Sequence, residues 1–253
     1  MSQNFRIEDD RLIAHRYPHM ALDPRQIWLT PKQFRQGAKF AKEQQINNFS
    51  LWYGGEDGDA KFEDLDLSWL DDLPDIYNVD IMVHPSEKSK IDALYTLNNL
   101  ISLVYFGYNK KPLDHHRLQS IKSLYTHYDT SHLDGNSRFE HLPNLDNLKL
   151  WRIKKQVDCS FLGNLIGVKE LDITWSKSIE SLNGIENLTN LRRVSINRCS
   201  SLTDIGALLQ CENLEFAWIE SSKHLAPEAV IRLKQKGIDI RGGSAVTKIL
   251  KNL

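Results

Sequence analysis

A repeated spacing of aliphatic residues is the feature that most constrains the fold of this 253-residue chain. Short apolar-x-apolar pieces recur along it, and the first residues of successive pieces are 20 to 24 positions apart. These first residues are Val79, Leu103, Leu124, Leu148, Leu171, Val194, Leu214 and Ile238. A further piece begins at Phe49, 30 residues before Val79. A period of this length is typical of architectures in which one small structural unit stacks on the next.

Each repeat combines a strand signal with a turn signal. In the apolar-x-apolar piece, alternate side chains point to opposite faces of a strand, so one face is predicted to be buried. The L-x-x-L spacing that precedes it, as in residues 142–148, places apolar side chains on one side of a turn. A single unit cannot bury its apolar side, whereas stacked units bury it against each other and align their strands in a parallel sheet.

Residues 188–208 resemble a leucine-rich repeat. The pattern L-x-x-L-x-L-x-x-N/C-x-L is matched by Leu191, Val194, Ile196, Cys199 and Leu202. The short period is similar to that of the bacterial internalin-like class, and the resemblance covers about residues 46–240. It implies an α/β fold, a right-handed leucine-rich-repeat solenoid with one curved parallel sheet of about eight or nine strands and terminal caps.

The sequence departs from the family at the position of its buried asparagine. This position reads Cys199 in the best-matching repeat, and the neighbouring repeats place Ile153, Ser176 and Ile219 there. The family's asparagine ladder is therefore expected to be absent or degenerate.

The N-terminal residues differ from the repeats and are predicted to cap them, because the end of a stack needs a polar outer face. Two short strands are predicted around Asp9 and Asp10. A helix is predicted to follow, with Thr30 as its N-cap and Pro31 at its first position, and to run to about Gln45.

The C-terminal residues show a second capping pattern. A helix is predicted from Pro227 to Lys236, closed by Gly237, with a last strand around Ile238 and a possible closing helix in 244–253. The predicted organisation is an N-terminal cap at 1–45, leucine-rich repeats at 46–240 and a C-terminal cap or tail at 241–253.

The exposed side of the predicted sheet carries the candidate binding residues. Residues between and after the two apolar anchors of each strand are predicted to point to a concave face, where four of the six tryptophans fall. Trp, Tyr and Arg dominate binding hot spots because each joins a rigid apolar body to a polar group. The predicted partner-binding residues are Trp52, Phe106, Tyr125, His127, Trp151, Arg152, Trp175, Arg198 and Trp218. The alternative is that these rings only pack on neighbouring strands.

Residues 56–75 form a strongly acidic segment, with nine acidic residues against a single lysine, Lys61. One interpretation is electrostatic guidance of a basic partner, such as a nuclease or a ribosome-directed toxin. The other is a solvated loop before a repeat. A calcium loop is not indicated, because the acidic residues do not fit the D-x-[DN]-x-[DN]-G spacing.

No residue pattern indicates an enzyme, a cofactor or a metal site. The sequence lacks G-x-S-x-G, G-x-x-x-x-G-K-[ST], H-E-x-x-H and G-x-G-x-x-G. Five histidines between His115 and His141 are assigned to different parts of their repeats, so they are not expected to converge on a metal. The odd set Cys159, Cys199 and Cys211 contains no C-x-x-C pair and is expected to be reduced and buried.

Charge and hydropathy limit the possible partners and location. A net charge of −1 argues against a nucleic-acid partner, and no apolar run is long enough to span a membrane. The N-terminal residues show neither the basic nor the apolar region of a signal peptide, so a cytoplasmic location is expected.

These features together predict non-enzymatic protein binding through the concave face by a chain that is monomeric when unbound. The most concrete hypothesis is a cytosolic bacterial immunity protein that neutralises a cognate toxin, because proteins of similar appearance include such inhibitors. The alternatives are a regulatory adaptor or scaffold, and an effector that binds host proteins.

Overall fold

The structure is a computed structural model that divides the chain into two compact units, Met1–Lys111 and Pro112–Leu253. It describes residues 7–8, 11–12, 27–29, 34–51, 62–73, 75–106, 110–129, 138–163, 165–222 and 224–252. Three features named above lie outside these residues: the predicted helix start at Thr30 and Pro31, the candidate Trp52, and residues 56–61 of the acidic segment. The predicted cap and repeat boundaries stay predictions.

The first unit contains a parallel sheet of four strands. Its elements, in chain order, are β1 (Ile7–Glu8), β2 (Arg11–Leu12), β3 (Ile27–Leu29), α1 (Phe34–Gln44), β4 (Asn48–Leu51), β5 (Phe62–Glu63), β6 (Asn78–Ile81), β7 (His84–Pro85) and β8 (Ser102–Tyr105). Strand β4 pairs in parallel with β3 and β6, and β6 pairs with β8. The antiparallel pair β1–β2 confirms the two predicted N-terminal strands, and α1 confirms the predicted helix.

Strand β3 was not predicted. Its residue Ile27 pairs in register with Phe49, the first anchor read from the sequence. Ile27 and Leu29 are 2% and 1% exposed, so they contribute to the core as a repeat anchor does. A run of three apolar residues is too short for its periodicity to separate a strand from a turn.

The second unit contains a parallel sheet of six strands. They are β9 (Ser123–Asp129), β10 (Asn147–Lys154), β11 (Glu170–Thr174), β12 (Arg193–Asn197), β13 (Phe216–Glu220) and β14 (Asp239–Gly242), paired in that order. From β10 to β13, each strand is connected to the next by a segment that contains a short 3-10 helix, such as Ile185–Asn187 between β11 and β12. Two helices, α2 (Pro227–Gln235) and α3 (Ser244–Lys251), confirm the predicted C-terminal pattern, and Gly237 ends the first of them at φ 88°.

Parallel strands at the spacing of the repeats confirm the predicted leucine-rich-repeat fold within each unit. The described residues hold ten such strands, four in the first unit and six in the second, because β3 adds one to those counted in the sequence.

The register of the last two strands differs from the prediction. Ala217, and not Leu214, pairs with Val194, and Ile240, and not Ile238, pairs with Ala217. Paired anchors are therefore 23 residues apart from Leu148 to Ile240. The prediction that Ala217 faces outward was wrong, since it is 0% exposed. Alanine is a weak apolar signal beside Leu214 and Phe216, which drew the predicted strand three residues too early.

The asparagine position of the family is occupied by small polar or sulfur-containing residues in three of four repeats. It reads Ile153, Ser176, Cys199 and Ser222, and all four are buried. The Ser176 hydroxyl accepts a hydrogen bond from the Ile153 amide at 3.0 Å, and the Ser222 hydroxyl donates to the Cys199 carbonyl at 3.2 Å. The ladder is thus degenerate, as predicted. Ile219, which was assigned to it, is instead a strand anchor paired with Ile196.

A second ladder joins the turns that precede the strands of the second unit. In each case a side-chain nitrogen donates to a backbone carbonyl of the preceding repeat: Asn144 to Gln119 at 2.7 Å, Asn190 to Ile166 at 2.7 Å, Asn213 to Thr189 at 2.8 Å and Lys236 to Leu209 at 2.8 Å. Each bond ties one turn to its neighbour and helps to fix the spacing of the repeats.

Changing Asn190 to Ala removes one bond of this ladder and is expected to lower the free energy of unfolding by about 1 kcal/mol. The matched control is Asn187→Ala, because Asn187 is exposed three residues earlier and its side chain makes no hydrogen bond to any residue that the structure describes. Urea denaturation measures both variants. Equal effects of the two substitutions would show that the ladder does not stabilise the stack.

The three thiols are expected to be unreactive in the folded protein. Burial raises the pKa of Cys159 well above its usual range and raises the pKa values of Cys199 and Cys211 to about 11. Labelling with a thiol reagent at pH 8 should modify none of the three in native protein and all of them in denaturant. Rapid native labelling would contradict this packing.

The raised pKa values of the thiols also make the free energy of unfolding depend on pH. Because the thiols ionise at lower pH in the unfolded chain than in the folded one, their contribution to stability should be fully present below the ordinary pKa of 9.0 and should be lost as pH rises toward 11.

Candidate functional site

The outward positions of β4, β6 and β8 in the first unit's sheet are buried. Asn48, Ser50, Asn78, Asp80 and Val104 are all less than 5% exposed. The Asn78 side-chain amide donates to the side-chain oxygens of Asn48 at 2.7 Å and of Asp80 at 3.1 Å. Phe106 follows β8 and is 5% exposed, so the prediction that it lies on an exposed face was wrong. The alternation of the sequence identifies which side of a strand a residue occupies, but not what covers that side.

The outward positions of the second unit's sheet are accessible. Successive strands place these residues side by side in three rows, which we call the open face. The first row is Ser123, Asn147, Glu170, Arg193, Phe216 and Asp239; the second is Tyr125, Lys149, Asp172, Ser195, Trp218 and Arg241; the third is His127, Trp151, Thr174, Asn197 and Glu220. All of them are half-buried or exposed.

Of the nine predicted binding residues, seven lie on the open face or directly beside it. Tyr125, His127, Trp151 and Trp218 occupy its second and third rows, and Arg152, Trp175 and Arg198 each directly follow a third-row residue. The structure places these seven on one unit, and their role in binding stays a prediction.

Aromatic side chains of the open face are held by contacts with their neighbours. The rings of His127 and Trp151 are 4.7 Å apart, on adjacent strands. The indole nitrogen of Trp218 donates to a carboxylate oxygen of Glu220 at 3.2 Å. Packing of this kind gives an aromatic side chain a fixed position, so little conformational entropy would be lost when a partner contacts it.

Two arginines at the strand ends lie over tryptophan rings. The guanidinium carbon of Arg198 is 4.2 Å from the centre of the Trp175 ring, and that of Arg152 is 4.7 Å from the centre of the Trp151 ring. Trp175 is 40% exposed, one of few large apolar side chains with so much accessible surface. The N–H groups of a guanidinium lie in its own plane, so contact of one face with a ring leaves them able to donate to an acceptor.

A left-handed backbone recurs at the same position of four consecutive repeats. The φ angles are 55° at Arg152, 59° at Trp175, 56° at Arg198 and 58° at Ser221. This region favours Gly and Asn and is unfavourable for larger side chains by about 1–2 kcal/mol. Two of these residues bond to the next repeat through their backbone. The Trp175 amide donates to the Asn197 carbonyl at 2.9 Å, and the Arg198 amide donates to the Glu220 carbonyl at 3.1 Å.

A shallow cavity of about 240 Å³ lies over the first two rows of the open face. Its walls are charged and aromatic and include Lys149, Glu170, Asp172, Arg193 and Trp218. The Arg193 guanidinium lies 4.6 Å from the centre of the Phe216 ring and 4.0 Å from a Glu170 carboxylate oxygen. Charges of both signs therefore alternate along the face.

At the ends of the first and second rows, Asp239 and Arg241 form a two-point ion pair with N–O distances of 2.7 and 3.0 Å. The hydrogen bond from Arg241 lowers the pKa of Asp239, and the same bond raises the pKa of Arg241. Both side chains thus keep their charges across the ordinary pH range at the edge of the open face.

The first row of the open face was missed in the sequence. It lies one residue before the first anchor of each strand, whereas the prediction took only the residues between and after the anchors. The alternation at Glu170, Leu171 and Asp172 could have revealed it. Phe216 was missed for a different reason, because the misplaced register made it the second anchor of its strand.

The described part of the acidic segment is bonded to the following repeat. Asp66 forms an ion pair with Lys90 at 3.1 Å, and Asp71 accepts a hydrogen bond from Thr96 at 2.8 Å. Hydrogen bonds from Ser68, together with Lys90, lower the pKa of Asp66 to about 2. These contacts favour the interpretation of a solvated loop, and guidance of a basic partner stays a prediction.

Within the described ranges, no group of three or more histidine, cysteine or acidic side chains is arranged to hold a metal ion. His116 and His141 stack at 3.6 Å as a pair. Likewise, none of the helices in the described ranges is long and apolar enough to span a membrane.

No protein-family model matches the chain, and no curated protein matches it. Three solved structures of similar fold are internalin C2 from Listeria monocytogenes, the TLR13–ssRNA13 complex and the Drosophila Toll–Spatzle complex. The identities are 17%, 18% and 13%, and the TM-scores are 0.38, 0.43 and 0.41. The matches cover 79%, 73% and 90% of this chain, and 74%, 30% and 42% of the other chains.

Replacing Arg198 by Asn should leave the free energy of unfolding within about 1 kcal/mol of wild type. The lost stacking on Trp175 is offset because Asn suits the left-handed backbone. The contrasting variant is Arg198→Val, whose branched side chain should lower stability by more than about 1 kcal/mol at this φ. Urea denaturation compares them, and equal stabilities would show that the backbone at this position is not strained.

Proposed function

We propose that the chain is a protein-binding solenoid and that the open face of the second unit is its binding surface. The observation that carries this proposal is the contrast between faces. The outward positions of the second unit expose aromatic and charged side chains in ordered rows, whereas apolar anchors such as Leu171 and Val194 are buried beneath them.

The composition of the open face supports a protein as the partner. It includes Trp151 and Trp218 with Arg193 and Arg241, and tryptophan and arginine are the residue types most enriched in binding hot spots. Acidic residues, among them Glu170 and Asp172, alternate with these cations. A nucleic-acid backbone is uniformly negative and would be repelled by these acidic residues, whereas a protein surface can complement charges of both signs.

A toxin-neutralising immunity protein is the more specific form of this proposal, in which the partner is a toxin. Asp66 and Asp71 of the acidic segment that motivated a basic toxin are bonded within their own unit, so the open face and not the acidic segment is the surface we assign to the partner. An adaptor or scaffold would use the same surface with weaker affinity and several partners.

Trp151 and Trp218 are the residues whose removal should test the surface. The double substitution of both by Ala should reduce capture of a stoichiometric partner from native lysate by at least tenfold, since each hot-spot side chain contributes about 2 kcal/mol or more. The measurement is quantitative affinity capture with the tagged chain. Thermal denaturation of each variant checks that it is folded.

The matched control is Ile166→Ala with Leu209→Ala, two accessible aliphatic residues in the turns between strands. This variant should keep the partner. Loss of the partner in the control but not in the tryptophan variant would place binding on the turns and overturn the proposal. Retention in both would leave the tryptophans as packing residues only.

A further inference from the structure

We infer that the strand-end edge of the open face binds two acidic side chains of the protein partner. This edge consists of Arg152 and Arg198, which lie over Trp151 and Trp175, together with three exposed residues close to them in sequence, Lys154, Lys155 and Lys177. The inference rests on the proposed function, because it names the chemistry that the partner presents to part of the same surface.

The stacked arginines are available to an external anion. Both are exposed, and among the described residues no carboxylate lies within ion-pair distance of either. Elsewhere in the same unit, exposed basic residues do have such partners: Lys169 pairs with Asp146 at 3.4 Å, and Arg192 pairs with Glu215 at 3.4 Å. The tryptophan rings hold the two guanidinium groups in place, and a positioned guanidinium suits the two-point geometry of a carboxylate.

Along their own chain segments, the charges next to these arginines have one sign, while the neighbouring strands contribute Asp129, paired with Lys154, and Glu220, paired with Asn197. Every charged residue from Arg152 to Lys155 is a cation, and so is every charged residue in the three positions after β11 and after β12. These are Arg152, Lys154, Lys155, Lys177 and Arg198. The interior of the open face differs, because Glu170, Asp172 and Asp239 lie among its cations there. An approaching anion is therefore favoured at the edge rather than at the centre.

The backbone conformation at these positions is unfavourable for large side chains, yet arginine and tryptophan occupy it. Arg152, Trp175 and Arg198 have φ between 55° and 59°, where Gly or Asn would fold more easily. Left-handed positions occupied by larger residues concentrate at binding and catalytic sites, where the side chain serves a role other than folding.

The spacing of the two arginines defines the ligand. Arg152 follows Trp151, the last residue of β10 that pairs with β11, and Arg198 directly follows β12, so β11 lies between them. Neighbouring strands are about 4.8 Å apart, so the backbone positions that carry the two arginines are about 10 Å apart. In an extended peptide that crosses the strands, this distance joins acidic residues about three positions apart.

A protein segment fits this edge better than a nucleic acid does. Two discrete anion sites beside a face that contains Glu170, Asp172 and Glu220 match a chain with separated carboxylates. A phosphate backbone has a charge at every nucleotide and would pass over those acidic residues. We therefore assign the edge to acidic side chains and treat RNA binding as a contrary outcome of the test.

The test uses a displayed library of short random peptides, selected on the full-length wild-type chain. Enriched peptides are then synthesised with a fluorescent label and titrated with wild type and variants. Enriched sequences should carry a net negative charge, with two acidic residues about three positions apart. Their affinity should fall about tenfold or more in Arg152→Asn/Arg198→Asn, because two charge-assisted contacts are lost.

Two further variants make the result specific. Lys169→Gln/Arg192→Gln removes two exposed cations from the opposite ends of neighbouring strands and should leave affinity unchanged. Arg152→Lys/Arg198→Lys keeps both charges but loses the two-point geometry, and its affinity should be intermediate. If the Asn variant does not fold, as judged by thermal denaturation, the Lys variant supplies the comparison.

Several outcomes would overturn the inference. Enriched peptides that are neutral or basic would do so, as would acidic peptides that bind the arginine variants as tightly as wild type. A short oligouridylate that binds wild type more tightly than the peptides would assign the edge to RNA. Peptides that depend on Trp218 but not on the arginines would leave the proposed function intact and reject only this inference. Absence of any enriched peptide would count against both.

Discussion

The in-register stacking of parallel strands is the constraint on which the rest of the second unit depends. Each repeat has one apolar side that it cannot bury alone, so Leu171, Val194, Ala217 and Ile240 must follow one another at a constant spacing. A strand shifted by one residue would exchange its buried and accessible sides. The side-chain bonds from Asn190 and Asn213 to the preceding turns act on the same spacing from the other end of the strand.

This register produces the candidate binding surface without any specialised loop. Once the anchors are aligned, the residues between them are also aligned, and tryptophan, arginine and acidic side chains form rows across adjacent strands. The left-handed position that follows the third row then repeats as well, which brings the pairs Arg152–Trp151 and Arg198–Trp175 to the same edge. The fold therefore fixes the positions of these side chains, and the identity of each residue decides which partner can bind there.

The sequence predicts the parts of the fold that carry strong periodic signals. The anchors from Val79 to Val194 were correct, because leucine, isoleucine and valine mark the buried side clearly. Ala217 was misassigned since a small residue gives little signal beside two larger ones, and β3 is too short to be read from periodicity. Phe106 shows a different limit: it follows a correctly predicted strand, but burial of that outward side depends on tertiary packing that local spacing does not encode.

Cross-linking across neighbouring strands would test the register most directly. Ser195 pairs with Trp218 on the open face, and paired residues on adjacent strands are about 4.8 Å apart, which is within reach of a disulfide. Oxidation of the double variant Ser195→Cys/Trp218→Cys should form an intramolecular disulfide, detected by mass spectrometry against the wild-type background. The variant Ser195→Cys/Ala217→Cys should not, because Ala217 points into the core. A cross-link to position 217 without one to 218 would contradict the register and the open face built on it.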